Sequence, residues 1–120
     1  MDDDSQEEQR QAPRVAHQFI ARYRPVTGNT GWLMSPLRDL SSGGARFLSE
    51  HPFLAGETVE MQLILPTSSQ PVLLRARVAW AKPAKLGTVE LGVAFDPEDT
   101  GVQRAIDKAV VYLLTKGRRD

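Results

Sequence analysis

The sequence has 120 residues, of which 41% are hydrophobic and 25% are charged, and it contains no cysteine. These values fit one globular domain and exclude disulfides, thiolate metal sites and cysteine nucleophiles. The formal net charge is zero, which argues against a protein that holds long nucleic acid mainly by neutralising phosphates.

Residues 1–9 carry five acidic side chains and no basic one. Because almost nothing in this stretch can be buried, we expect a flexible acidic tail. An acidic start differs from a secretory signal, and no later apolar run approaches the ~20 residues needed to cross a bilayer. We therefore expect a cytoplasmic protein without a membrane span.

Alternation of side chains predicts a first strand from Phe19, because Phe19, Ala21 and Tyr23 occupy every second position. A second strand is predicted from Trp32 to Asp39. Pro36 lies inside it and indicates an edge position or a bulge, because proline lacks a ladder donor.

The residues Ser41-Ser42-Gly43-Gly44 predict a tight turn, after which residues 45–48 return as a hairpin partner. Three clearer strands follow, with turn-rich segments between them that suit antiparallel hairpins. Their alternating apolar positions are Val59, Met61, Leu63 and Leu65; Val72, Leu74, Ala76, Val78 and Trp80; and Val89, Leu91, Val93 and Phe95. The pattern predicts about six strands in a meander, with Trp80 on the same face as Val78, in the core or at its rim.

The last segment changes to helical spacing. Asp96 can cap a helix with Pro97 at its first position, and Gly117 with the two following arginines is expected to end it. Its apolar face consists of Val102, Ala105, Ile106, Ala109, Val110 and Leu113. We therefore expect an all-β fold with one helix: a six-stranded antiparallel β-barrel covered by a C-terminal amphipathic α-helix.

Two short motifs carry the functional hypothesis. Arg10 and Arg14 have the spacing R-x-x-x-R, and Asp39, Ser41 and Gly44 have the spacing D-x-S-x-x-G. Either motif alone is a weak signal, because such spacings arise by chance. Their order, one before the first strand and one in the hairpin between the second and third, resembles the signature of PilZ domains.

The resemblance extends to the last strand, which reads roughly L-G-V-x-F in that family and is LGVAF at residues 91–95 here. It covers residues 10–117 and leaves 1–9 and 118–120 as tails. It implies a PilZ-type barrel that binds cyclic di-GMP without changing it and needs no cofactor. It also implies output through a protein partner, with the helix and the tail as transmitters, in the control of motility, pili, exopolysaccharide or biofilm.

The residue types in both motifs suit this ligand. The planar guanidinium groups of Arg10 and Arg14 can donate paired hydrogen bonds to O6 and N7 of guanine and can stack on its face. We expect the segment that carries them to close over the ligand on binding. Asp39 can accept hydrogen bonds from N1 and N2 of guanine, a donor pair that adenine lacks. Ser41 offers a hydroxyl to a phosphate or base edge, and Gly44 lets the backbone reach a positive φ and approach the ligand closely.

Other polar residues have secondary roles in this hypothesis. Auxiliary ligand contacts are predicted for Gln9, Ser42, Gly43 and Arg46. In the family, the residue before the first arginine influences whether one ligand or an intercalated pair binds, and Gln9 does not decide between them. The arginines on polar strand faces either extend a positive groove or form a solvated exterior; they are Arg22, Arg24, Arg75 and Arg77.

No catalytic or metal-binding pattern is evident. His17 and His51 lack metal-ligand spacing, and Asp39 and Ser41 have no partner base nearby in sequence, so we predict neither an enzyme nor a metal site. One alternative is a PilZ-like adaptor that acts through protein contacts alone, although both motifs are intact. Another is a small barrel that binds single-stranded RNA or DNA, although the net charge is zero and the polar strand faces have few aromatic residues.

Overall fold

The structure, a computed structural model, describes residues 19–96 and 100–119, with side chains as far as residue 115. Six antiparallel strands form a closed barrel, and one helix follows them. The strands are β1 Ile20–Pro25, β2 Leu33–Leu40, β3 Gly44–Ser49, β4 Thr58–Ile64, β5 Val72–Pro83 and β6 Val89–Phe95; the helix is α1 Thr100–Arg119. The predicted fold class is therefore confirmed.

Alternating apolar side chains fill the barrel interior. On β1, Ala21 and Tyr23 are fully buried, and Phe19 is buried just before the strand. On β4, Val59 and Met61 are buried in the same way. Because successive side chains of a strand point to opposite faces, the polar residues between them lie on the outer surface of the barrel.

The strand order differs from the predicted meander. The hydrogen-bonded order is β1-β2-β3-β6-β5-β4, and β1 closes the barrel by pairing with β4. β3 pairs along its whole length with β6 rather than with β4, which follows it in the chain. This long-range pairing places the turn between β2 and β3 beside the end of β6.

Pro36 does not lie at a sheet edge, because β2 pairs with β1 on one side and with β3 on the other. A bulge was the other predicted possibility. The β2–β3 register does shift just after Pro36, between Leu37 and Asp39. A bulge of this kind adds a residue to one strand and re-aims its side chains. As a result, the consecutive side chains of Arg38 and Asp39 are both exposed.

α1 packs its apolar face against the barrel. Ile106 and Ala109 are fully buried, as predicted. The described helix runs from Thr100 to Arg119 and ends at the second of the two arginines that were predicted to end it. The predicted cap at Asp96 depends on Pro97 and the two residues after it, which lie outside the described residues. The backbone N–H of Asp96 donates to the carbonyl of Arg75 at 2.9 Å, which ties this residue to the barrel.

Within the described residues, no helix is both long and apolar enough to cross a membrane.

Candidate functional site

The D-x-S-x-x-G motif forms the turn between β2 and β3. The backbone N–H of Ser41 donates to the carbonyl of Gly44 at 2.8 Å, and the Ser41 hydroxyl donates to the same oxygen at 3.3 Å. The side chains of Asp39 and Ser41 are exposed. Hydrogen bonds within the motif therefore close the turn, and the polar side chains of the motif point to solvent.

Two neighbouring elements hold this turn in place. The backbone N–H of Phe95, at the end of β6, donates to the carbonyl of Gly43 at 2.8 Å. Gln103 of α1 donates from Nε2 to the carbonyl of Ser42 at 3.0 Å and to Oδ1 of Asp107 at 2.9 Å. The turn is thus linked directly to the last strand and to the helix.

Gly44 is required by the close approach of two strands and not by its φ angle. The glycines with positive φ are Gly28, Gly56 and Gly87 in the described part of the chain, so the prediction of a positive φ at Gly44 is wrong. A Cβ at position 44 would overlap the carbonyl oxygen of Val93 on β6. The missing side chain lets β3 pack against β6 at the edge of the motif turn.

An open cleft of about 310 Å³ lies beside the turn. The predicted site residues that line it are Asp39, Ser41, Gly43, Gly44 and Arg46. The rest of its wall consists of Ala45 of β3 and residues of β5 and β6: Ala79, Trp80, Gly92, Val93 and Ala94. Ser42, which was predicted as an auxiliary contact, does not line the cleft and instead accepts the hydrogen bond from α1.

Trp80 is a residue of this cleft that the sequence analysis missed. The β5–β6 register shifts between Val78 and Trp80, and this bulge leaves Ala79 and Trp80 both exposed. The prediction that Trp80 shares the inward face of Val78 is therefore wrong. Its side chain is 38% exposed and lies against Gly92, where a Cβ would overlap the indole ring.

An aromatic ring in the wall of a cleft offers a surface on which a planar ligand can stack. The only signal in the sequence is the glycine at position 92, between the apolar residues Leu91 and Val93, and its meaning depends on knowing which residue lies opposite. Lys82 places a positive charge beside the ring, since its Nζ lies 5.5 Å from the Trp80 ring centroid.

Two arginines near the cleft share one carboxylate, whereas the carboxylate of Asp39 has no described partner. Arg46 donates from Nη1 to Oε2 of Glu90 at 3.0 Å, and Arg38 lies 3.7 Å from the same oxygen. Asp39 lies opposite Arg46 in the β2–β3 register, but its carboxylate forms no hydrogen bond or ion pair with any residue that the structure describes. Its carboxylate therefore keeps its capacity to accept hydrogen bonds from a ligand.

The other predicted ligand residues, Gln9, Arg10 and Arg14, lie outside the described residues. The described chain begins at Phe19, whose carbonyl accepts a hydrogen bond from the N–H of Leu37 at 2.8 Å. Arg14 is five residues from that point, a reach of up to about 17 Å at 3.3–3.6 Å per residue. Phe19 is thus hydrogen-bonded to β2 two residues before Asp39, which lines the cleft.

A larger groove of about 620 Å³ lies on the outer surface of β1, β4 and β5, near the start of α1. Arg24 stacks on the ring of Trp32 at 4.1 Å, and its Nε donates to Oε1 of Glu60 at 2.8 Å. None of the described motif residues lines this groove. It is therefore a separate surface feature.

No group of three or more His, Cys, Asp or Glu side chains that could hold a metal ion occurs within residues 19–96 and 100–119. His51 packs edge-on against Phe53, with ring centroids 4.5 Å apart. His17 lies outside the described residues.

A family model described as the PilZ domain matches residues 8–112, a span that includes both motifs and the cleft. A search of the curated proteins found no match.

Solved structures share the fold. MrkH from K. pneumonia, in complex with c-di-GMP, has a TM-score of 0.71 and 18% identity, covering 87% of this chain and 50% of that one. The PilZ domain of YcgR from Escherichia coli, with c-di-GMP, has a TM-score of 0.59 and 16% identity, covering 85% of each chain. The inhibitor of motility MotI/DgrA from Bacillus subtilis has a TM-score of 0.64 and 15% identity, covering 82% of this chain and 48% of that one. This chain therefore spans about half the length of MrkH and MotI.

Proposed function

Because the chain belongs to the PilZ domain family, we propose that it is a receptor that binds cyclic di-GMP in the cleft beside the β2–β3 turn and does not change the ligand chemically. The observation that carries this proposal is the convergence of Asp39, Ser41 and Trp80 on one cleft. The complexes of MrkH and of the YcgR domain with c-di-GMP support the choice of ligand.

Asp39 and Trp80 bind the same guanine in this proposal. The carboxylate of Asp39 accepts hydrogen bonds from N1 and N2 of the base, while the exposed indole of Trp80 stacks on its face. Adenine lacks the N1 and N2 donor pair, so the cleft discriminates against adenine dinucleotides. Ser41 donates to a phosphate oxygen or base edge at the mouth of the cleft.

Arg10 and Arg14 complete the proposed site. The cleft of about 310 Å³ is at the low end of the ~300–1,000 Å³ range of ligand pockets, whereas the ligand carries two guanines and two phosphates. The part of the ligand that the cleft leaves open therefore needs a second binding element. Two guanidinium groups suit guanine edges and phosphates, and closure of their segment over the ligand is the proposed conformational change.

α1 is the second element through which the signal passes in this proposal. Gln103 links the helix to the carbonyl of Ser42, so a shift of the motif turn on ligand binding acts directly on the helix. Val111 and Leu114 are 61% and 58% exposed on α1 and give a protein partner an apolar contact surface. Control of motility, pili, exopolysaccharide or biofilm is the proposed output, and the likeness to an inhibitor of motility supports the first of these.

Isothermal titration with cyclic di-GMP tests the proposal. Saturable binding is expected for the unmodified chain, and Arg14→Ala and Asp39→Ala should each weaken it by at least about tenfold, since each removes charged hydrogen bonds. Arg104→Ala is the matched control, because this exposed arginine of α1 does not line the cleft, and it should leave the affinity unchanged. Cyclic di-AMP should give no saturable heat.

A flat titration, together with an unchanged melting temperature at high ligand concentration, would contradict the proposal. A ligand-independent adaptor would then be the better account of the chain. Equal loss of affinity in Arg104→Ala and Arg14→Ala would also contradict it, because the effect would then be one of general charge.

A further inference from the structure

Four arginines surround one carboxylate on the outer surface of β1, β4 and β5, and we call this surface the arginine face. β4 lies between β1 and β5 in the barrel. In the strand registers, Arg24 lies opposite Glu60, which in turn lies opposite Arg75. The other two members are Arg22, opposite Gln62, and Arg77, opposite Thr58.

The positive charge of this face is only partly balanced. Glu60 pairs with Arg24 at 2.8 Å and with Arg75 at 3.8 Å. Arg77 is exposed, and its guanidinium forms no hydrogen bond or ion pair with any described residue. With Asp96 at the edge of the adjoining groove counted as well, four cations face two carboxylates. The face is therefore suited to an anionic occupant.

The sequence supplies such an occupant. Residues 1–8 contain five acids and no base, so the remaining residues, 9–120, carry fifteen bases and ten acids. The zero net charge thus consists of −5 at one end and +5 in the rest. Neither the acidic run nor the arginine face has a role in the proposed ligand site.

We propose that residues 2–8 bind the arginine face and thereby hold the Arg10 and Arg14 segment away from the ligand cleft, as an autoinhibitory contact. This inference rests on the proposed function, because its consequence is weaker binding of cyclic di-GMP. The chain must leave the face before its two arginines can close over the ligand.

Chain length permits this contact. Ten residues separate Glu8 from Phe19, and they span up to about 33–36 Å when extended. Arg22 lies about 10 Å along β1 from Phe19, and β5 lies about 10 Å across the sheet from β1, as two strand spacings. Because Arg10 and Arg14 lie within the connecting residues, docking of the acidic run constrains where both arginines can go.

A tethered acidic segment fits this face better than a free polyanion. The excess of positive charge is small, so a long nucleic acid would release few counterions on binding it. Surface ion pairs are individually weak, but a segment of the same chain is present at a high effective concentration. The contact should accordingly be sensitive to salt.

A spin label tests docking without any ligand. The chain has no cysteine, so Ser5→Cys creates a single attachment point for a nitroxide. The labelled full chain should show paramagnetic broadening of the backbone amide signals of Arg22, Gln62 and Arg75. The broadening should disappear in about 0.5 M NaCl, where the Debye length is only a few ångströms.

The matched control is a labelled chain of the same length whose five acids are replaced by their amides: Asp2→Asn, Asp3→Asn, Asp4→Asn, Glu7→Gln and Glu8→Gln. This neutralised chain should not broaden the signals of the arginine face. Absence of broadening in the acidic chain, or equal broadening in both chains, would overturn the docking proposal.

Affinity measurements test the autoinhibitory consequence. At low salt the neutralised chain should bind cyclic di-GMP about three- to tenfold more tightly than the acidic chain. Replacing Arg22→Ser and Arg75→Ser, neither of which lines the cleft, should give a similar gain in the acidic chain and none in the neutralised chain. Unchanged affinity in the neutralised chain would overturn autoinhibition. If no variant binds the dinucleotide, the proposed function fails, while the spin label still decides whether the segment docks.

Discussion

The indole ring of Trp80 occupies the space that a side chain at Gly92 would fill. A Cβ at position 92 would overlap Nε1, Cε2 and Cζ2 of the ring, although the two residues lie on different strands. The bulge in β5 produces this arrangement, because it turns Trp80 outward over the one position of β6 that has no side chain. The ring therefore has a defined place in the wall of the cleft.

Gly92→Ala should displace this ring and weaken cyclic di-GMP binding by about tenfold, which is within the 1–3 kcal/mol that a stacked base is worth. Titration calorimetry measures the affinity, and indole fluorescence reports the displacement. Trp80→Ala should cause a similar loss. In the Trp80→Ala background, Gly92→Ala should add little, because the ring that it displaces is gone. A full additional loss there would show that Gly92 acts independently of Trp80.

Gly44→Ala should lower the free energy of unfolding by about 1–3 kcal/mol, the usual cost of overpacking. Its Cβ would overlap a backbone oxygen, that of Val93, which cannot rotate aside as a side chain can. Gly43→Ala is the matched control in the same turn, because a Cβ there would meet nothing within 4 Å. Denaturant unfolding of the two variants measures the difference. Equal stability of both would refute the close-approach explanation.

Tyr23→Phe should destabilise the barrel by about 1–2 kcal/mol, because it removes the partner of a backbone donor. The Tyr23 side chain is fully buried, and its hydroxyl oxygen accepts a hydrogen bond from the N–H of Glu50 at 2.9 Å. Urea unfolding measures the loss. Ligand affinity should stay the same, since Tyr23 does not line the cleft. A variant as stable as the unmodified chain would mean that this hydrogen bond contributes nothing.

Leu86→Asn should raise the free energy of unfolding by about 0.5–1 kcal/mol, because it relieves part of the ~1–2 kcal/mol cost of a left-handed residue. Leu86 has φ 58° and is 99% exposed in the turn between β5 and β6, which the N–H of Thr88 closes by donating to the carbonyl of Lys85 at 3.1 Å. Asparagine adopts this conformation more readily than leucine. Thermal unfolding tests the change.

Leu54→Asn provides the comparison for this substitution. Leu54 is also largely exposed, at 69%, but its φ is not positive. The same change of side chain should therefore leave the free energy of unfolding unchanged. A similar increase in both variants would attribute the effect to the removal of exposed apolar surface.

The sequence alone was sufficient for features that depend on near neighbours in the chain. Alternation predicted the inward faces of β1 and β4, and helical spacing predicted the buried face of α1, because side-chain periodicity is a local property. The two motifs also led to the correct family. The turn at Asp39 and Ser41 followed from residue types that favour tight turns.

Tertiary structure decided which of these parts meet and which way they face. The pairing of β3 with β6 joins residues about 40–50 positions apart, and it alone gives Gly44 its neighbour at Val93. The bulge before Trp80 moves that side chain from the predicted interior to the cleft. Because a shift of one residue exchanges the two faces of a strand, local alternation could not reveal these reversals. The motif residues were thus readable in the sequence, whereas the walls of their cleft came from contacts between distant strands.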